Sequence, residues 1–301
     1  MGNNILDIKI PAIIKSTSDG YSTLIDTIRP MSDMEGGTTC ILDFSDVQWF
    51  DANLLSVLGA VIEKRFNDCT IQYKKSSISP SQEDLWGRNG FGRYFQLKSP
   101  KRYDTTVDYK VFLWDEAKKF GEYIDDNLLS KSDLPRLSSG LKKSISNNIQ
   151  EIFGNAPLHG KCEKVVSCGQ YYYRTGQLTF TIVDCGNTIL ENVVDYFSFL
   201  NEPAPRHGIK WAIVEDHSTK QLVNGKSGGK GLAFLKEFIS LNNGVMQICS
   251  GNEFWEFKKG QESSFCISSD FPGTIVTITI NMKDKHSYAL KSEIYNSDEL
   301  F

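Results

Sequence analysis

Two apolar periods divide the second half of this 301-residue chain, and together they leave few folds open. Between residues 137 and 154, Leu141, Ile145, Ile149, Ile152 and Phe153 recur at helical spacing, so one face of a long helix is apolar. Strand-length runs follow at 165–173, 178–184, 244–250, 253–258 and 274–281, with helical stretches at about 206–216 and 229–242. Long helices on one side and mostly antiparallel strands on the other predict an α+β sandwich.

The first hundred residues alternate the two signals more closely. Residues 5–14 and 69–74 read as strands, 38–44 as a buried strand, and 21–29 as a short helix. Asp51 is placed to cap a helix running to about Phe66, with Leu54, Leu55, Leu58 and Ile62 on one face. That alternation suggests a small α/β unit. A strand at 105–113 and a helix at 114–129 connect it to the second half through the polar, proline-containing stretch 130–136. The expected organisation is therefore 1–104, a connector at 105–135, a larger domain at 136–282 and a loose polar tail at 283–301.

A net charge of -4 argues against general nucleic-acid or membrane-surface binding, because phosphate and anionic lipid repel an acidic surface. No apolar run reaches the length of a membrane span, and MGNNILDIKI lacks the basic flank and apolar core of a signal peptide. The expected location is the cytoplasm. The 7 cysteines are odd in number and irregularly spaced, which predicts core packing and not a disulfide framework.

Four segments carry candidate chemistry. Glu151 and Asn155 lie four apart, so a carboxylate and an amide oxygen share one helix face, where they suit a hard cation and its water. Asp184 ends a strand and Gly186 follows, a pairing that can accept from an exocyclic amine while the backbone comes close. The stretch 224–232, NGKSGGKGL, opens a helix with clustered glycines, which favours phosphate. Gly273 and Thr274 open an alternating strand and offer a hydroxyl at its start. Each segment alone reads as readily as an exposed helix end, a plain turn or a flexible loop.

In this order and spacing, the four segments resemble the GHKL ATPase superfamily. The helix motif looks like that family's N box, the aspartate turn like its first glycine box, and 228–232 like its second. The resemblance implies a GHKL α/β sandwich that binds ATP and Mg2+. It implies that Asn155 binds the magnesium, Asp184 accepts from the adenine amine, and Gly186 lets the adenine sit close. It further implies that Gly229, Lys230, Gly231 and the adjoining Leu232 form the phosphate-binding end, that Thr274 helps the adenine end, and that Glu151 is the general base. Asn187 stands where the family usually has a second glycine, and asparagine tolerates a left-handed turn better than most residues. The segment 187–227 corresponds to the family's ATP lid and is expected to move with nucleotide state.

Sensor histidine kinases commonly carry asparagine where Glu151 stands. Glutamate there, with His159-Gly160 following, is more similar to anti-sigma-factor serine kinases and to hydrolysing members. None of His159, His207, His217 and His286 lies ahead of the ATP-binding segments. Residues 41–55 resemble a STAS domain, with Ala52 and Asn53 where that family's phosphorylated serine would fall, so no phosphorylation is expected there. The fusion implies a docking or regulatory first half, a protein partner, and a homodimer as one assembly, since GHKL relatives often dimerise. The expected function is a Mg2+/ATP-dependent switch with slow hydrolysis. The alternatives are a serine/threonine protein kinase and a nucleotide-gated module without turnover.

Other patterns compete less well. Gly225-Lys226-Ser227 is no P-loop, because position 220 is Lys220 where that motif needs glycine. His159, Cys162 and Cys168 lack a standard zinc spacing. Tyr171, Tyr172 and Tyr173 read as sheet surface. Residues 86–95, WGRNGFGRYF, read as an aromatic docking patch or a loop packed on the first unit's core.

Overall fold

The computed structural model describes residues 4–97, 105–160, 162–214, 217–219 and 230–298. The first half contains β1 (Ile5–Lys9), β2 (Ile13–Ile14), α1 (Ser18–Asp33), β3 (Thr39–Asp43), β4 (Trp49–Phe50), α2 (Leu55–Arg65), β5 (Thr70–Tyr73) and α3 (Pro80–Asn89). Next come β6 (Thr106–Leu113), α4 (Ala117–Ile124), β7 (Arg136–Leu137) and α5 (Ser139–Gly160). The second half continues with β8 (Lys164–Tyr172), β9 (Gln177–Asp184), α6 (Ile189–Phe199), α7 (Gly208–Ala212), α8 (Gly231–Leu241), β10 (Val245–Lys258) and β11 (Gln261–Asn281). The chain closes with β12 (Ser287–Tyr288) and α9 (Lys291–Asp298).

The α+β class holds. Strands β10, β11, β9, β8 and β6 form an antiparallel sheet in that order, and β1, β3 and β5 form a smaller parallel one. Side chains alternate across a strand, so adjacent residues of the large sheet enter different cores. Val165, Phe180, Ile182, Val276 and Ile278 meet α4, α5 and α8. Val166, Cys168, Val183 and Ile275 join the core that also contains α1 and α2.

Helices thus cover both faces of the large sheet, where the sequence predicts one covered face. The reverse face is covered from the first half: α1 packs on β11, and α2 on β8 and β9. Along much of β9 and β11 the apolar side chains point to the helical layer and the threonines to this reverse face, a pattern that reads as solvated. Thr179, Thr181, Thr277 and Thr279 are nevertheless buried. Asn53 donates to Thr181 Oγ1 at 2.9 Å, Thr181 and Thr277 share a hydroxyl contact at 2.8 Å, and Tyr21 pairs with Thr277. Buried hydroxyls are tolerated because they find these partners.

Several local expectations shift. The strand expected over 5–14 breaks at Pro11, because proline has no N–H to give a ladder. Asp51 does not cap its helix; its carboxylate accepts from the Ser16 N–H at 2.7 Å and the Trp49 indole at 2.8 Å. Residues 86–95 are helical, with Trp86, Phe91 and Phe95 buried in the first core beside Phe44. The expected strands at 244–250 and 253–258 are one strand, irregular between Ser250 and Glu253. Cys168 is a core residue whose thiol donates to the Ala52 carbonyl at 3.2 Å, and the described cysteines are all free.

The segment 105–135 adds β6 to the large sheet's edge and α4 to its helical layer. The tail beyond Met282, expected to be loose, is tied down. Its β12 pairs with β7, and Glu293 accepts from Ser138 Oγ and from the Gly140 N–H at 3.0 Å, capping the start of α5. That cap secures the helix that carries Glu151 and Asn155.

Candidate functional site

A cleft opens between α5, the end of β9, the part of β11 beside it, the pair α6 and α7, and the start of α8. Its void, including the open mouth, is about 960 Å³, of the size small-molecule sites occupy. Glu151, Asn155, Asp184, Asn187, Gly231, Leu232 and Thr274 all line it, although the sequence scatters them over more than a hundred positions. Gly186 stands beside them, donating its N–H to Asp184 Oδ1 at 3.0 Å. Lys230 immediately precedes α8 and is exposed. Gly229 lies outside the described residues.

The floor is built by strand register. Asp184 and Thr274 face each other across β9 and β11. Gly273 has φ +143°, and a Cβ there would lie 2.1 Å from the Asp184 carbonyl oxygen, so only glycine lets β11 run this close. Ser250 fastens three segments: its hydroxyl donates to the Gly273 carbonyl at 2.8 Å, lies 3.1 Å from Thr274 Oγ1, and accepts from the Ile189 N–H at 2.8 Å. Burial pushes the Asp184 carboxyl up to about 7. The N–H groups of Gly186 and Thr274 and the charge of Lys64 act in the other direction.

The opposite end pairs a carboxylate with a helix terminus. A Cβ on Gly231 would lie 2.8 Å from Glu151 Oε2, so this glycine leaves room for the Glu151 side chain at the start of α8. Helix amino termini favour anions, and α8 runs for 11 residues.

Another wall comes from described residues between Asn187 and Thr219. A capping box starts α6: the Thr188 hydroxyl accepts from the Glu191 N–H at 3.1 Å while the Glu191 carboxylate accepts from the Thr188 N–H at 2.6 Å. Short α7 is held by Glu253 of β10, whose carboxylate accepts from the N–H groups of Gly208 at 3.1 Å and Ile209 at 2.9 Å. This wall supplies residues that sequence reasoning did not single out: Asn192, Val193, Trp211, His217, Ser218 and Thr219. Trp211 and His217 stack at 4.9 Å, and His217 Nδ1 lies 2.9 Å from the Trp211 carbonyl oxygen. Clustered aromatics in a segment of weak helical pattern, Tyr196, Phe197 and Trp211, were the available signal.

No family model matches the sequence, and no curated protein matches it. Among solved structures, the chain is similar to the topoisomerase IV ATP-binding domain of Francisella tularensis in complex with a small-molecule inhibitor. The identity is 13% and the TM-score 0.25, with 63% of this chain and 47% of that chain covered. This chain therefore spans about half the length of that one. A likeness so distant leaves function to be argued from the cleft itself.

Proposed function

We propose that this chain is an ATP-binding regulatory protein of the GHKL type, a Mg2+-dependent switch with slow ATP hydrolysis. The supporting observation is that Glu151, Asn155, Asp184, Gly231 and Thr274, drawn from four separate segments, line one cleft. Asp184 and Thr274 at one end offer an acceptor and a hydroxyl for the base. The start of α8 at the other end offers N–H groups for phosphate. A phosphate there would lie near the Glu151 carboxylate, and a cation close to both would offset their repulsion. Asn155 offers a hard oxygen of the kind Mg2+ takes when phosphates and waters complete its shell, and Glu151 beside it would stay off the metal. The metal would draw charge from the phosphates. Glu151 would take the proton from the attacking water.

The smaller unit, with α1 and α2 on one face of a parallel sheet, fits a STAS-like reading. Since α1 and α2 are occupied by the large sheet, docking of a protein partner would use the outer face of β1, β3 and β5. A homodimer and a cytoplasmic location belong to the same proposal. Among the described residues, no helix is long and apolar enough to cross a membrane.

Phosphate release from Mg-ATP tests the reading. The wild type should release phosphate slowly, and Glu151→Ala should lose about 10²-fold or more while still binding ATP. Label transferred to a protein hydroxyl would make the chain a kinase. ATP binding without either product would make it a nucleotide-gated module. Absence of Mg-ATP binding would refute all three.

A further inference from the structure

The last turn of α2 lies under the base-binding end of the cleft. Lys64 Nζ donates to the Cys185 carbonyl at 3.2 Å, and Cys185 sits between Asp184 and Gly186. One residue earlier, Glu63 pairs with Lys164 at 2.8 Å. Lys164 precedes Val165, the cross-strand neighbour of Asp184. One turn of a first-unit helix therefore grips the turn after β9 and the start of β8, the strand paired with Asp184.

The groups acting on Asp184 come from every side. Lys64 approaches from α2, and the Gly186 and Thr274 N–H groups point at it from the turn and from β11. Cys162 and Cys185 interact with it from the start of β8 and from its own turn. Glu151 and His217 line the same cleft from α5 and the wall between Asn187 and Thr219. The charge of Lys164 is matched by Glu63. Lys64 is the cation whose field reaches the carboxylate.

We propose that Lys64 is a positioning residue for nucleotide recognition: it holds the Cys185 carbonyl and so fixes the turn that aims the Asp184 carboxylate at the base. The first unit is then part of the nucleotide site, and movement of α2 is felt at the acceptor. The ammonium also favours the ionised carboxylate, against the burial that opposes it. This role rests on the nucleotide-binding reading above.

Titration of Mg-ATP into the full chain, its Lys64→Met and its Lys64→Arg variants between about pH 6 and 9 tests it, a range that brackets a carboxylate raised towards neutrality. Lys64 is exposed, so both variants keep the core. Lys64→Met should bind about two- to fivefold more weakly near neutral pH, the scale of one exposed charge contact, and its affinity midpoint should move to higher pH. Lys64→Arg should restore both. Wild-type affinity and midpoint in Lys64→Met would overturn the proposal, as would equal weakening of both variants at every pH. If the wild type itself fails to bind, the nucleotide reading falls first, and the wild-type titration separates that failure from the other.

Discussion

Asp184 concentrates the conflict between burial and function. It sits on the floor of the cleft, where loss of water pushes its carboxyl up to about 7, above the usual 3.8. The folded protein then holds a proton that the unfolded chain releases. Its ionisation cost is absent below the unfolded value, grows as pH rises between the two, and is complete above about 7. Asp184→Asn removes that cost. The variant should gain stability over wild type as pH rises from about 4 to 8, by on the order of 1–4 kcal/mol at the upper end, and thermal melts across that range would show it. Its affinity for Mg-ATP should fall at the same time. A residue kept at the expense of stability fits a binding role.

Among the elements, α7 depends on a single side chain at its start. Glu253 receives both of its first N–H groups, and neither has another acceptor among the described bonds. Glu253→Ala should cost about 1–3 kcal/mol locally, read as faster hydrogen exchange at Gly208 and Ile209, with exchange in α5 unchanged. Elements with a strong period were legible in the sequence: α5, α8, β8 and β9 fall close to where periodicity sets them. Residues 80–95 were not, because glycines and aromatics there carry no clear period, and helical structure follows from the Ser79 capping box and core burial. The candidate site was legible in part: of the four polar and glycine-rich segments, Glu151, Asn155, Asp184, Gly231, Leu232 and Thr274 line the cleft, while 224–229 lie outside the described residues. Trp211 and His217 were not legible, since their place depends on Glu253, over thirty residues away in sequence. Threonines at alternate positions of β9 and β11 read as a wet face because nothing local reveals Asn53 as the partner of Thr181 or Tyr21 as the partner of Thr277.

At the scale of the whole molecule, one core spans both halves. Tyr21, Leu24, Leu58 and Ile62 share it with Val166, Val183 and Ile275, so neither half buries all of its apolar surface without the other. Calorimetry of the full chain should therefore give one cooperative transition, and two separated transitions would show independent units. The same coupling puts a first-unit helix against the turn after Asp184, which gives a docking event a physical route to the cleft. The most direct test of the proposed nucleotide site is a co-crystal structure with Mg2+ and a non-hydrolysable ATP analogue. The adenine amine should lie within hydrogen-bond distance of Asp184, the phosphates at the start of α8, and the metal on Asn155. A nucleotide bound elsewhere, or a cleft that stays empty at saturating analogue, would contradict it.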